Sequence, residues 1–151
     1  MQIKIYYWKL AFWRAEVLRA GLFMQDIEFE NVIERDKIAE LRAQKRVPFG
    51  ALPVMEIDGR ILSQTQAMAT FVGKLGNMYP PNDNILAQAN CDEIINGCTD
   101  VTNTVGKTFG MGEGTEEARK ELIKEGGRLN LHLTGLNSIV CQDGGDFACG
   151  G

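Results

Sequence analysis

The chain has 151 residues, 44% of them apolar, and its 16 Lys and Arg against 20 Asp and Glu leave a net charge of −4. That length suits one domain, or one small domain with part of another. The mild acidity and the dispersed Lys and Arg argue against a nucleic-acid surface, and no apolar run approaches the length of a membrane span.

Lys4 and Lys9 interrupt the first apolar stretch and no small-residue cleavage site follows, so the N-terminus does not read as a signal peptide. Ile3-Lys4-Ile5-Tyr6-Tyr7-Trp8 reads as a strand rich in β-branched and aromatic residues. Arg14 to Met24 follows as a helix with Val17, Leu18 and Leu22 at helical spacing. Glu28 to Ile33 is a second strand, and Asp36 to Arg46 a charged helix with Ile38 and Leu41 inward and Lys37, Glu40 and Arg42 outward. Val54–Ile57 and Arg60–Ser63 are strands joined by Asp58-Gly59, a two-residue hairpin turn that needs positive φ at both positions. A helix then opens with the hydroxyl residue Thr65 and runs to about Leu75. A crossover helix between the early strands implies a parallel pair, and the hairpin an antiparallel one. The resulting order, βαβαββα, is thioredoxin-like.

Gly76 to Asn84, with Pro80-Pro81 and three Asn, reads as a linker. Beyond it the pattern is all helix. Ile85 to Val105 carries Cys91, Ile94, Cys98, Val101 and Val105 on one stripe, with Gly97 an unfavourable interior residue. The glycine-rich run from Gly106 to Gly114 lacks the Lys-Ser or Lys-Thr ending of a phosphate loop and reads as a connection between antiparallel helices. Thr115-Glu116-Glu117 starts a further helix with a hydroxyl cap and early acids; Leu122, Leu129, Leu133, Leu136 and Val140 form its stripe, with a weak point at Gly126-Gly127. Cys91, Cys98, Cys141 and Cys149 have neither metal-like nor redox-like spacing, which suits reduced and mostly buried thiols in a cytoplasmic protein. His132, the single histidine, reads as structural or exposed rather than as a ligand or base.

The run from Val47 to Gly59 enters a strand through Pro53, and Leu62-Ser63-Gln64-Thr65-Gln66 then opens a helix. A proline at a strand start leaves the preceding backbone, that of Leu52, unpaired at an edge, and a helix N-terminus offers free N–H groups to an anion. This arrangement resembles the glutathione site of the cytosolic glutathione transferases, most nearly their sigma class. The resemblance implies a thioredoxin-like glutathione-binding domain over residues 1–75, a linker over 76–84 and a partial all-helical domain over 85–151.

By that resemblance Pro53 is a cis-proline, and Leu52 pairs through its backbone with the cysteinyl part of glutathione. Gln64 and Thr65 hold the γ-glutamyl carboxylate. A first-strand tyrosine, Tyr7 by strand-wise alignment, hydrogen-bonds the sulfur; lowering a thiol pKa from about 8.5 by two units takes roughly 2.7 kcal/mol of preferential thiolate stabilisation. Arg14-Ala15-Glu16 matches the opening of the family's first helix. Arg42, or Lys45 close behind, takes the place of the lysine that holds the glycyl carboxylate, although no Trp accompanies them there. Asp92 and Asp100 resemble a pattern in which the second acid reaches the partner subunit's glutathione in a dimer. The chain departs from the family in having Ala11-Phe12-Trp13 where Arg-Gly usually precedes Arg-Ala-Glu, in a loop one residue longer. Tyr6 and Tyr7 point to opposite sheet faces, so one of them serves.

Two functions follow from the resemblance. One is a transferase with glutathione as co-substrate, no metal, and a small electrophile as second substrate, working as a homodimer. The other is a non-catalytic subunit of a larger assembly. The family's helical domain normally continues past this length, so the apolar stripes of the second part are expected to stay partly exposed, or to be covered by a protein partner.

Overall fold

The computed structural model describes residues 1–141; the tail from Gln142, including Cys149, lies outside them. The chain divides into two compact units, the first Met1–Tyr79 and the second from Pro80 onward.

The first unit contains β1 (Ile3–Tyr6), α1 (Glu16–Met24), β2 (Glu30–Val32), α2 (Arg35–Ala43), β3 (Val54–Ile57), β4 (Arg60–Ser63) and α3 (Thr65–Leu75). The sheet order is β2-β1-β3-β4, with β1 parallel to β2 and the other pairs antiparallel. The β3–β4 hairpin turns through Asp58 at φ +46 and Gly59 at φ +82, the paired positive values expected of that dipeptide.

Register sorts the side chains into two faces. Ile3, Ile5, Met55 and Leu62 point to one face, where they meet Ala15, Leu18 and Leu22 before and along α1 and Met68 and Val72 of α3. Tyr6 pairs with Val32 and Val54 on the other face. The inward stripe of α1 is therefore Ala15, Leu18 and Leu22, whereas Val17 is half exposed; the helix turns that residue away from the sheet. The first strand ends at Tyr6 rather than Trp8, although the Tyr7 amide still donates to the Val32 carbonyl at 3.1 Å.

The helix expected to reach Arg46 stops at Ala43. Lys45 takes φ +57, the Lys45 amide donates to the Arg42 carbonyl, and the Arg46 amide returns to the Leu41 carbonyl. That is a Schellman closure with lysine in the position glycine usually fills. Asp26 ends α1 in the same way, at φ +52.

The second unit contains α4 (Ile85–Gly106), a 3-10 turn at Gly112–Gly114, α5 (Thr115–Ile123) and α6 (Arg128–Val140). Asn84 caps α4 by accepting the Ala87 amide at 3.1 Å. Gly97 has a packing reason: a Cβ there would lie 2.8 Å from Leu136 Cδ2 on α6, so the bare backbone lets the two helices approach. Thr115 is not a cap; its hydroxyl reaches across the loop to donate to the Thr108 carbonyl, while the Arg119 Nε donates to the Thr108 hydroxyl at 3.1 Å.

The continuous helix expected from Thr115 to Val140 is two. Gly126 takes φ +73, and a Cβ on Gly127 would sit 2.5 Å from the carbonyl oxygens of Glu121 and Leu122. The break resets the phase, so the inward side of α6 is Leu129, His132, Leu136 and Ile139, while Leu133 and Val140 are exposed. No residue within α4, α5 or α6 is buried. Cys91 is half-buried and Cys98 and Cys141 are exposed, which corrects the expectation of mostly buried thiols.

Gly127→Ala is expected to cost about 2 kcal/mol, because backbone atoms cannot yield as a side-chain tip can. Gly135 has open space where its Cβ would be and lies inside α6. Gly135→Ala should instead stabilise by about 0.5–1 kcal/mol. Urea denaturation of the two variants checks the opposite signs.

Candidate active site

Tyr7 lies just past β1, is 3% exposed, and belongs to the apolar cluster between the sheet, α1 and α3. A buried phenol needs a partner for its oxygen, and the Arg14 backbone amide supplies one. Burial pushes the Tyr7 pKa up, and the Arg14 amide and the charges of Arg14 and Arg19 oppose that without cancelling it. The hydroxyl therefore stays protonated at neutral pH and can donate. Tyr6 is on the opposite face, where its hydroxyl donates to Glu56 Oε2 at 3.4 Å and Glu56 pairs with Arg46 at 3.0 Å. The two tyrosines that were equivalent by position in the strand have different surroundings: Tyr6 in a charged cluster and Tyr7 in the core.

The Leu52–Pro53 bond is cis. Pro53 is buried, Leu52 packs against the cluster that contains Tyr7, and the β1–β3 ladder begins only at Val54, so the Leu52 backbone lies outside it. Gln64 is the N-cap of α3, and its carbonyl accepts the Met68 amide at 3.0 Å. Its backbone is at φ +73 and ψ +121, a region L-residues avoid. Thr65 is thus the first residue within the helix, and no side-chain hydrogen bond caps this end. The first amides of α3 remain open in the way helix N-termini do. Ser63, immediately before, has a buried hydroxyl oxygen without a hydrogen-bond partner.

Arg42 is exposed in the last turn of α2, and its guanidinium lies 5.7 Å from the centre of the Trp8 ring. Trp8 was not among the residues that the sequence placed beside Arg42. The sequence has no Trp near α2, whereas the path out of β1 brings one there in space. Lys45 is exposed in the Schellman closure after α2. Asp100 is exposed on α4 in the second unit. Among the described residues no group of three His, Cys, Asp or Glu side chains is placed to hold a metal ion, and no helix is long and apolar enough to cross a membrane. An open groove of about 1090 Å³ lies elsewhere, lined by Met1 to Ile3, Phe23, Asp26 to Glu30 and Asp58. It adjoins the start of β1, whereas Tyr7 follows its end.

No family model matches the chain. It is 30% identical over 139 residues to glutathione S-transferase alpha-5 of Rattus norvegicus, covering 91% of this chain and 62% of that protein. The solved glutathione S-transferase of Ascaris lumbricoides matches its fold with a TM-score of 0.79 at 23% identity, over 99% of this chain and 73% of that one. The chain is related to the glutathione S-transferases. A sigma class glutathione S-transferase of Fasciola hepatica shares the fold as well, with a TM-score of 0.76 at 20% identity over 99% of this chain and 71% of that one. The chain thus spans about three fifths of the length of curated relatives that it matches.

Against the glutathione transferase pattern the loop before α1 stands apart. Trp13 occupies the place of the glycine ahead of Arg-Ala-Glu and holds φ +86, with its ring 5.7 Å from that of Phe12. A bulky residue there costs about 1–2 kcal/mol relative to glycine.

Two outcomes are expected. Gln64→Gly relieves a strained, exposed position and should raise stability by about 1 kcal/mol, measured by urea denaturation. Keeping Tyr7 neutral contributes stability that is complete below the ordinary tyrosine value of 10.0 and is lost as pH rises from there through the raised folded value. Urea midpoints measured on both sides of pH 10 should fall less in Tyr7→Phe than in the parent.

Proposed function

We propose that the first unit binds glutathione and that Tyr7 activates its thiol for conjugation to a small electrophile, a transferase of tyrosine type akin to the sigma class. The observation that carries this reading is Gln64, a non-glycine residue held at φ +73 where α3 opens. Strain of this kind costs about 1–3 kcal/mol and persists where a site demands the geometry. Here it leaves the first helical amides and the Thr65 hydroxyl available to the γ-glutamyl carboxylate. The Leu52 backbone pairs with the cysteinyl part, Arg14 supports Tyr7, and Arg42 on Trp8, with Lys45 nearby, meets the glycyl carboxylate. A guanidinium can take a carboxylate through two parallel hydrogen bonds. Asp100 serves a partner subunit's glutathione in a homodimer, and no metal takes part. The cytoplasm, with its reduced thiols and its glutathione, is the setting of this proposal.

The chemistry asked of Tyr7 is hydrogen-bond donation. A phenol that stays neutral can donate to sulfur, and that donation favours thiolate over thiol. Loss of a single preorganised donor typically lowers turnover by about 10²-fold.

A second reading, a non-catalytic subunit with the transferase fold, draws support from the altered loop with Trp13 at φ +86. Retention on immobilised glutathione, followed by turnover of an aryl halide, separates the two. The enzyme reading expects retention, turnover that falls about 10²-fold in Tyr7→Phe, and retention weakened about tenfold in Gln64→Ala. Absence of retention favours the subunit, and turnover indifferent to Tyr7→Phe removes the role given to that hydroxyl.

A further inference from the structure

Arg19 looks like an ordinary cation on the first helix, but its side chain is only 12% exposed. Its Nη1 donates to the Leu10 carbonyl at 2.7 Å and to Glu16 Oε2 at 3.2 Å. Its Nε and Nη2 both donate to Asn31 Oδ1, at 3.2 and 3.0 Å. Its guanidinium carbon lies 5.8 Å from the centre of the Tyr7 ring. One side chain thus touches the loop before α1, the helix itself, the edge strand β2 and the candidate catalytic phenol.

We propose that Arg19 is a positioning residue for Tyr7, a planar fork that holds the 9–13 loop and β2 in register around the phenol. The need for it is visible in the loop, where Trp13 sits at φ +86 without the freedom of glycine. A strained segment keeps its shape only when its surroundings over-determine it. The Leu10 carbonyl, on the strand side of that strain, is where the fork takes hold. Lysine could supply the charge over the ring but not bonds to loop and strand together. The charge of Arg19 also favours the phenolate, in the direction that makes Tyr7 a better donor.

The effect on turnover rests on the proposed role of Tyr7, whereas the clamp is measurable without glutathione. The chain has two tryptophans, Trp8 and Trp13, and they bracket this loop. Acrylamide quenching of their fluorescence therefore reports its order. In a Tyr6→Phe, Tyr79→Phe background Tyr7 is the remaining tyrosine, and tyrosinate absorbance follows it alone.

Arg19→Met should raise the quenching constant about twofold and move the Tyr7 midpoint upward. It should lower kcat about tenfold while the KM for glutathione changes less than about twofold. Arg19→Lys should raise quenching but leave the Tyr7 midpoint near that of the parent. Should Arg19→Met fail to fold, Asn31→Leu removes the strand anchor alone and should raise quenching in the same direction. Parental quenching together with an unmoved Tyr7 midpoint in Arg19→Met, or parental quenching in Asn31→Leu, overturns the proposal. A response in both readouts from a parent that does not turn over glutathione keeps the clamp and removes the catalytic role of Tyr7.

Discussion

A phenol inside an apolar core must have its oxygen satisfied, because an unpaired buried hydroxyl costs about 1–3 kcal/mol. Tyr7 meets this requirement through the amide of Arg14, at the far side of a loop with no regular structure of its own. That contact ties the loop to the apolar core of the first unit. It draws the start of α1 toward the end of β1, and α1 then lays Leu18 and Leu22 on the same cluster that holds Ile3, Ile5 and Tyr7. Met68 and Val72 of α3 complete the cluster, so the helix whose open end is the candidate carboxylate site is seated on the side chains that hold the phenol. Structure and proposed chemistry share one core.

The other sheet face does different work. Lys4 pairs with Glu30 and Arg46 with Glu56, each at 3.0 Å, and Tyr6 joins the second pair. Partly exposed pairs of this kind contribute little stability. What they do here is occupy Tyr6: a phenol bonded to a carboxylate is a poor candidate to donate to a ligand's sulfur. The proposal for Tyr7 rests on the sheet register as much as on the surroundings of Tyr7 itself.

The second unit has a different economy. Gly97 lets α4 and α6 come close, and Thr108 links the end of α4 to α5 through Thr115 and Arg119, yet no residue within these helices is buried. Several of its apolar side chains, among them Leu131, Leu133 and Ile123, are more than half exposed. Hydrophobic stabilisation scales with the apolar area removed from water, so the order of this unit leans on close helix contact and on the polar links at the α4–α5 loop rather than on a core of its own.

The sequence by itself determined whatever is governed by neighbours along the chain. Asp58-Gly59 dictated the hairpin because few dipeptides tolerate two positive φ values, and both flanking strands fell at their expected bounds. The α3 opening at Gln64-Thr65 was legible along the chain, and the cis Leu52–Pro53 bond was expected from the resemblance to the glutathione transferases. Tertiary structure alone decided what depends on contacts between distant residues. The register of β1 against β2 and β3 separated Tyr7 from Tyr6, and the path out of β1 put the Trp8 ring beside Arg42. The bonds of Arg19 to Leu10 and Asn31 were not legible, because periodicity says which side of a helix a residue lies on, not which loop or strand will arrive there. Turn chemistry and period act over a few residues, whereas the facing of a side chain is set by packing across the whole unit.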